Sequence, residues 1–386
     1  MSPKGFFTLF AATLVSIALA AWAVASRQLP VPQASLDRPL LPDLAAKVGE
    51  VAAIEVVHQD RTLHVRREDG RWVLAEKADF PVDPAKVRQI VLGLAELRVI
   101  EAKTRNPQKF ARLELEDPGK DAQSTLIRLR DEKGGTLAEV IVGKRKFSLY
   151  GPGKSGSYVR LAGDDQAWLA DRPLDAWTDP LDWVDRNLVW LPRDEIAEVR
   201  LHVGTPEEVV VRRAGSGDPF ILEGLEEGEV ADTTKIERLV SALGTMTLSD
   251  IESRDALPFP EDAPVARWTT FDGLVIDVAV LQRETPPKKK DGKPEVQYWV
   301  RLEARAGEPL RKPSAEAAGG ETVPPAGDDA GGASAKQAEK SEESRPVAER
   351  VAELDARYGH WVFEISKFLG ERLLWKKADL LEKPSS

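Results

Sequence analysis

Ile54-Glu55-Val56-Val57, Leu63-His64-Val65-Arg66-Arg67 and Trp72-Val73-Leu74 are three short runs that return later in the chain. The second set reads Ile196-Ala197-Glu198-Val199-Arg200-Leu201, Val209-Val210-Val211-Arg212-Arg213 and Phe220-Ile221-Leu222. Each run has the length and composition of a strand, and Asp69-Gly70 and Gly215-Ser216-Gly217 supply a turn between the second and third. A helix is predicted after each set. Asp83 and Asp232 stand at the cap positions and Pro84 suits a first turn. Val87, Ile90, Val91, Leu94 and Leu97 then line one helical face. Ile236, Leu239, Val240, Leu243 and Met246 repeat it at a constant offset of 149 positions. A stripe of this period arises in any amphipathic helix. Its recurrence behind the same three strands points to an internal duplication.

The strands need a cover for their apolar face, and the striped helix supplies one. The expected fold class is therefore α+β, as two tandem, duplicated lobes, each an antiparallel-rich sheet packed against a helix. Further strands are predicted at 124–130, 137–142, 158–161 and 167–170 in the first half, and at 265–270, 274–281, 297–304, 360–366 and 373–375 in the second. On this reading Tyr158–Leu161 and Trp361–Ile365 close the two lobes, and Trp168-Leu169-Ala170 matches Leu374-Trp375-Lys376. The expected organisation is a membrane anchor (1–27), a linker (28–50), a first repeat (51–173), a Trp-rich bridge (174–194), and a second repeat (195–307 and 350–386). The second repeat is interrupted by 308–349, where Ala, Gly, Pro, Glu, Ser and Lys leave too little apolar surface to offset the entropy of ordering. Pro286–Pro294, with Lys288-Lys289-Lys290, reads as a solvated hairpin loop.

Phe6–Ala25 contains no ionisable residue, and 20 residues rising 1.5 Å each span roughly 30 Å, one bilayer core. Arg27, Pro30 and Pro32 end the run. A transmembrane helix is expected here, giving a single-pass inner-membrane protein with its body in the periplasm and a bilayer contact through Phe6–Ala25. A cleaved signal peptide (Ala21-Trp22-Ala23 or Ala23-Val24-Ala25 as the cleavage site) and a buried helix are the alternatives.

The 386-residue chain has a formal net charge of −10 and no Cys. The charge argues against nucleic acid as a partner. Absence of Cys excludes disulfides, thiolate metal sites and a cysteine nucleophile. Gly151-Pro152-Gly153-Lys154-Ser155 resembles part of a phosphate loop, but Ser148 stands where that pattern requires Gly, and a strand is predicted to follow where a helix N-terminus is needed. The four histidines (His58, His64, His202 and His360) lack metal-ligand spacing on a helix, although His58 and His64 could approach across a hairpin. Asp179, Asp182, Asp185 and Asp194 border the bridge, where caps and solvated faces account for them. No Gly-x-Ser-x-Gly elbow occurs. No catalytic residue, metal site or cofactor is expected. Trp177, Trp183, Arg186 and Trp190 in the bridge are the candidate partner surface, because Trp combines a large apolar area with one donor.

The anchor before Ile54–Val57, the turn through Trp72-Val73-Leu74, and Pro81-Val82-Asp83 together resemble the DUF4340 family of bacterial membrane-anchored proteins. Val142-Gly143-Lys144, Tyr158-Val159-Arg160-Leu161 and Trp183-Val184-Asp185-Arg186-Asn187-Leu188 extend the resemblance. It brings no agreed catalytic set. Members stand beside ABC-type transport or gliding-related components, so the resemblance implies an accessory role on a membrane or cell-envelope protein, an ABC-type transport component among them. The expected function is a non-enzymatic, membrane-anchored accessory or scaffold protein that binds a protein partner by a cleft or a sheet edge. A small-molecule, lipid or envelope-polysaccharide binder is the alternative, and a hydrolase the third reading.

Overall fold

The computed structural model describes residues 37–149, 153–286, 294–310 and 345–382. They fall into two compact units: residues up to 62 with 88–178, and residues 63–87 with 179 onward. The first copy of the repeat contains β1 (Arg38–Pro39), the single turn α1 (Leu44–Lys47), β2 (Val51–His58), β3 (Arg61–Glu68), β4 (Arg71–Leu74) and β5 (Phe80–Pro81). It continues with α2 (Pro84–Ala95), β6 (Arg98–Ala102), β7 (Thr125–Asp131), β8 (Thr136–Lys146), β9 (Gly156–Leu161) and β10 (Ala167–Ala170). The second contains β11 (Ile196–Leu201), β12 (Val209–Arg212), β13 (Ile221–Leu222), α3 (Thr233–Val240), β14 (Leu248–Ser253), β15 (Val265–Thr270) and β16 (Leu274–Thr285). After these come β17 (Glu295–Ala306), α4 (Val347–Tyr358), β18 (Trp361–Ile365) and α5 (Lys367–Leu373).

Strand order bears on the duplication. The first unit carries β6-β10-β9-β8-β7-β2 and the second β14-β18-β17-β16-β15-β11, with every pair antiparallel. These are the same six positions in the same order. The ribbon β3-β4 likewise has its counterpart in β12-β13. The correspondence extends to the outer edges. Beside β6, Arg38 pairs with Val99 and the Leu40 N–H donates to the Leu97 carbonyl at 2.9 Å. Beside β14, Asn187 bridges to Thr247, and the Leu188 N–H donates to the Met246 carbonyl at 3.0 Å. Asp37-Arg38-Pro39-Leu40 and Asp185-Arg186-Asn187-Leu188 thus occupy one structural place, and from Asp185 the bridge is the leading edge of the second sheet.

Three expectations are corrected. The helical stripe overshoots: α2 stops at Ala95 and α3 at Val240, and Leu97, Leu243 and Met246 are buried in the turns that follow. Strands β6 and β14 follow those turns and were not foreseen. Leu373–Trp375 is not a strand: the Ser366 hydroxyl accepts from the Leu369 N–H, caps α5, and the chain turns helical. The counterpart of β10 is β18, and that of β9 is β17.

In the first unit consecutive residues are buried at Thr125–Ile127 of β7 and Val140–Val142 of β8, which requires cover on both faces there. Phe110, Leu115, Leu126, Ile141 and Ala167 form the core cluster on one face. Gly143 lies under the segment that closes it. A Cβ there would overlap the Leu113 carbonyl oxygen and lie 2.8 Å from that of Glu114, while the Lys144 N–H donates to the Leu113 carbonyl at 3.1 Å. A cross-strand charge ladder crosses the sheet: Glu55 accepts from Arg128 (2.6 Å) and Arg130, and Arg128 also donates to Glu139. Burial raises the Glu55 proton affinity, but the Arg130 and Arg128 bonds outweigh it and hold this carboxyl below its ordinary range. In the second unit Arg267 and Asp277 pair at 2.5 Å across β15 and β16, the counterparts of β7 and β8.

The anchor expected over Phe6–Ala25 lies outside the described residues, and among the described residues no helix is long and apolar enough to cross a membrane. The membrane topology is corrected accordingly. The transmembrane helix in the fold class, the single-pass placement, the periplasmic body, the bilayer contact and the membrane or ABC-type partner have no such helix to rest on and are not carried further. Most of the insertion expected over 308–349 (residues 311–344), and 287–293 of the lysine loop, also lie outside the described residues.

Candidate functional site

Asp179 begins the local fold. Its Oδ1 accepts from the Leu181 N–H at 2.9 Å, and Pro180 leads a 3-10 turn that ends at Trp183. Trp183 is fully buried, and its carbonyl accepts from the Asp83 N–H at 2.9 Å. The Val82 N–H donates to the Trp72 carbonyl at 2.8 Å, so residues 80–83 run between β4 and Trp183. The Trp361 Nε1–H donates to the Ala78 carbonyl at 2.8 Å. Phe80 packs edge-on against Trp361 (ring centroids 5.2 Å apart) and Phe363 (5.8 Å). After Val184 the chain is extended; Leu188, Val189 and Leu191 are buried while Trp190 stands 61% exposed.

Helix α4 supplies the facing wall. Its inward residues are Arg350, Leu354 and Tyr358, at the four-residue spacing of one helical face. Arg350 is only 9% exposed; it donates to Glu195 at 2.7 Å and to Asp272 at 3.1 Å. Glu195 ends the 3-10 turn before β11, and Asp272 sits in the β15–β16 turn. Burial pushes the Glu195 carboxyl above its ordinary range despite the opposing Arg350 charge. Burial likewise pushes the Tyr358 hydroxyl up to about 12.

Two clefts open between these walls. The first, about 210 Å³, is lined by Trp190, Glu195, Arg350, Leu354 and Tyr358 among others. The second, about 700 Å³, has Phe80, Val82 and Val184 at its floor and Arg71, Arg186 and Ala356 at its rim. Asp185, Glu353 and Arg357 line both. The Arg357–Asp185 pair at 2.9 Å lies between them, and Arg345 holds Glu353 at 2.7 Å.

Of the four residues expected to form the surface, Trp190 lines the first cleft and Arg186 the second, where Arg186 pairs with Asp182 at 2.8 Å. Trp183 belongs to the core, and Trp177 is partly exposed and belongs to the first unit. Arg350, Tyr358, Arg357, Glu195 and Phe80 were missed. The signal for α4 was present as Val347, Arg350, Val351, Leu354 and Tyr358 behind Pro346, but a charged residue on the inner face hid the stripe.

Elsewhere, three of the four histidines make polar contacts within the fold. His58 Nδ1 lies 3.0 Å from the Ser124 carbonyl, His64 Nδ1 2.6 Å from Glu76, and His202 Nε2 3.1 Å from the Trp375 carbonyl. Among the described residues no group of three or more His, Asp or Glu is placed to hold a metal ion. Lys154-Ser155 lead into strand β9, which pairs antiparallel with β8. No helix N-terminus follows to cradle a phosphate.

No curated protein and no solved structure matches the chain. The profile of the family described as Domain of unknown function (DUF4340) matches residues 72–264, half of the chain, and takes in β4, α2 and the strands through β13 and β14. The protein therefore belongs to the DUF4340 family.

Proposed function

We propose that this protein is an accessory or scaffold protein that binds a protein partner through the paired clefts of its second unit, without turning over a substrate. The observation that carries this reading is Trp190, a large aromatic residue held 61% exposed at the edge of a cleft by buried neighbours on both sides. Exposed Trp on a fixed backbone is typical of residues that dominate partner binding. The acids of the first cleft are engaged by arginines: Glu195 by Arg350, Glu353 by Arg345 and Asp185 by Arg357. None of them stands beside a base or nucleophile in the relation that hydrolysis requires. The test places a photoreactive amino acid at position 190 of the full chain in its native cells. One reproducible crosslinked protein, absent when the probe is moved to the exposed position Glu227, is expected. Absence of any reproducible crosslink at 190 refutes the reading.

A further inference from the structure

The second cleft has a composition that specifies its occupant. Its floor is apolar, formed by Phe80, Val82 and Val184. Its three acids are already engaged. The Asp83 Oδ1 accepts from the Ala85 N–H at 2.8 Å, Asp185 accepts from the Asn187 N–H (3.0 Å) and from Arg357 (2.9 Å), and Glu353 accepts from Arg345 (2.7 Å). Two of its guanidinium groups are engaged as well, Arg357 by Asp185 and Arg186 by Asp182. Arg71, on the exposed rim, is the exception: its guanidinium makes no hydrogen bond or ion pair among the described residues. Among the described residues Arg71 is therefore the one cationic fork of the cleft without a counter-ion, above an apolar floor, while the Asp83 carboxylate, bonded to a backbone N–H, keeps its own charge. A guanidinium fork pairs best with a carboxylate, in bidentate geometry.

From this we infer that the second cleft takes a linear segment of a partner protein that presents one carboxylate beside one apolar side chain, the carboxylate on Arg71 and the apolar group on Phe80, Val82 and Val184. The inference rests on the partner-binding reading above and specifies the chemistry of the partner. The cleft, about 700 Å³, has the volume of a site for a few side chains. The exposed pair Arg357–Asp185 at its inner end can rearrange at little cost as a chain passes toward Trp190.

The experiment is selection of a phage-displayed library of random linear peptides on the full-length protein. Enriched peptides are then measured by fluorescence anisotropy against Arg71→Glu and Ala356→Trp. Both positions are exposed, so neither substitution enters the core, and the second fills the cleft from its rim. Enrichment of Asp or Glu next to Leu, Ile or Phe is expected, with binding weakened about tenfold or more by either substitution. A peptide with Lys in place of its carboxylate is expected to regain binding to Arg71→Glu, which a misfolded variant would not allow. Enriched peptides without that pairing, or binding that survives both substitutions, overturn the inference. Arg71-dependent uptake of decanoate with no enriched peptide also overturns it, in favour of a free carboxylate ligand. If the crosslink at position 190 persists in those cases, the partner-binding reading stands and only this inference fails.

Discussion

Replacement of Arg350 by Met is the sharpest test of how the second unit is held together. The Arg350 side chain is 10% exposed, Glu195 is 12% exposed, and Asp272 is 44% exposed. Without the guanidinium, water can reach Asp272 but not Glu195, so the cost falls on one stranded carboxylate. Breaking a buried pair from one side costs about 3–5 kcal/mol, whereas replacing both partners by apolar groups of similar volume is often neutral. Arg350→Met is thus expected to lose about 3–5 kcal/mol at pH 7. Adding Glu195→Leu should recover most of it, with a coupling energy of roughly 2–4 kcal/mol. The pH dependence has a definite sign. The folded pKa of Glu195 already lies above its unfolded value, so its favourable contribution is complete below the unfolded pKa, near 4.3, and is lost as pH rises through the folded pKa. Removing Arg350 raises the folded value further, and the deficit of the single variant should shrink as pH falls from 7 toward 5. Urea unfolding followed by tryptophan fluorescence gives the free energies, and hydrogen exchange over Val347–Tyr358 shows that α4 is the element released. A single variant within about 0.5 kcal/mol of wild type, or strictly additive substitutions, would refute the argument.

Other outcomes can be measured with the same assays. Glu55→Gln should cost about 1–2 kcal/mol at pH 7, because a carboxyl held below its ordinary pKa adds stability above the unfolded value and loses it as pH falls through the folded one; the two unfolding curves should converge below about pH 4. Gly143→Ala should destabilise the first unit by about 2–4 kcal/mol through overlap with the Leu113 carbonyl. Gly49→Ala, with nothing within 4 Å of the added Cβ, should change stability by less than about 0.5 kcal/mol in parallel thermal melts. Asp232→Ala removes the bond from the Lys235 N–H at 3.1 Å that caps α3 and should cost about 1 kcal/mol by urea titration.

Periodic elements could be read from the sequence because their pattern is local. The alternation in β2 and β11 and the stripe on α2 and α3 need no knowledge of distant residues. β6 escaped because Leu97 continues the helical stripe by one more apolar residue, although the helix has already ended at Ala95 and the strand begins at Arg98. The order of the strands was not accessible, since only pairing across the sheet distinguishes β9 from β10 as the partner of β8. At the candidate site, Trp190 and Arg186 stood out by residue type. Arg350 did not, because its burial depends on Glu195 and Asp272, which lie 155 and 78 positions upstream. Nor could composition alone distinguish Trp183 in the core from Trp190 at the surface, since both lie in the same short segment and only the turn after Asp179 separates their environments.

The assignment of residues 63–87 to the second unit has a consequence for biosynthesis. Ala78 receives its hydrogen bond from Trp361, 283 positions later, and Phe80 packs edge-on against Trp361 and Phe363. At roughly 5–20 residues per second, a ribosome needs roughly 15–60 s to deliver them. During that interval the ring of Phe80 lacks both of these aromatic partners. A nascent chain stalled before Trp361 is therefore expected to remain open to protease at 63–87 and to recruit a holdase chaperone, and release of a chain that includes Ile365 should abolish both; protection of 63–87 on the shorter chain would show that the ribbon has another cover.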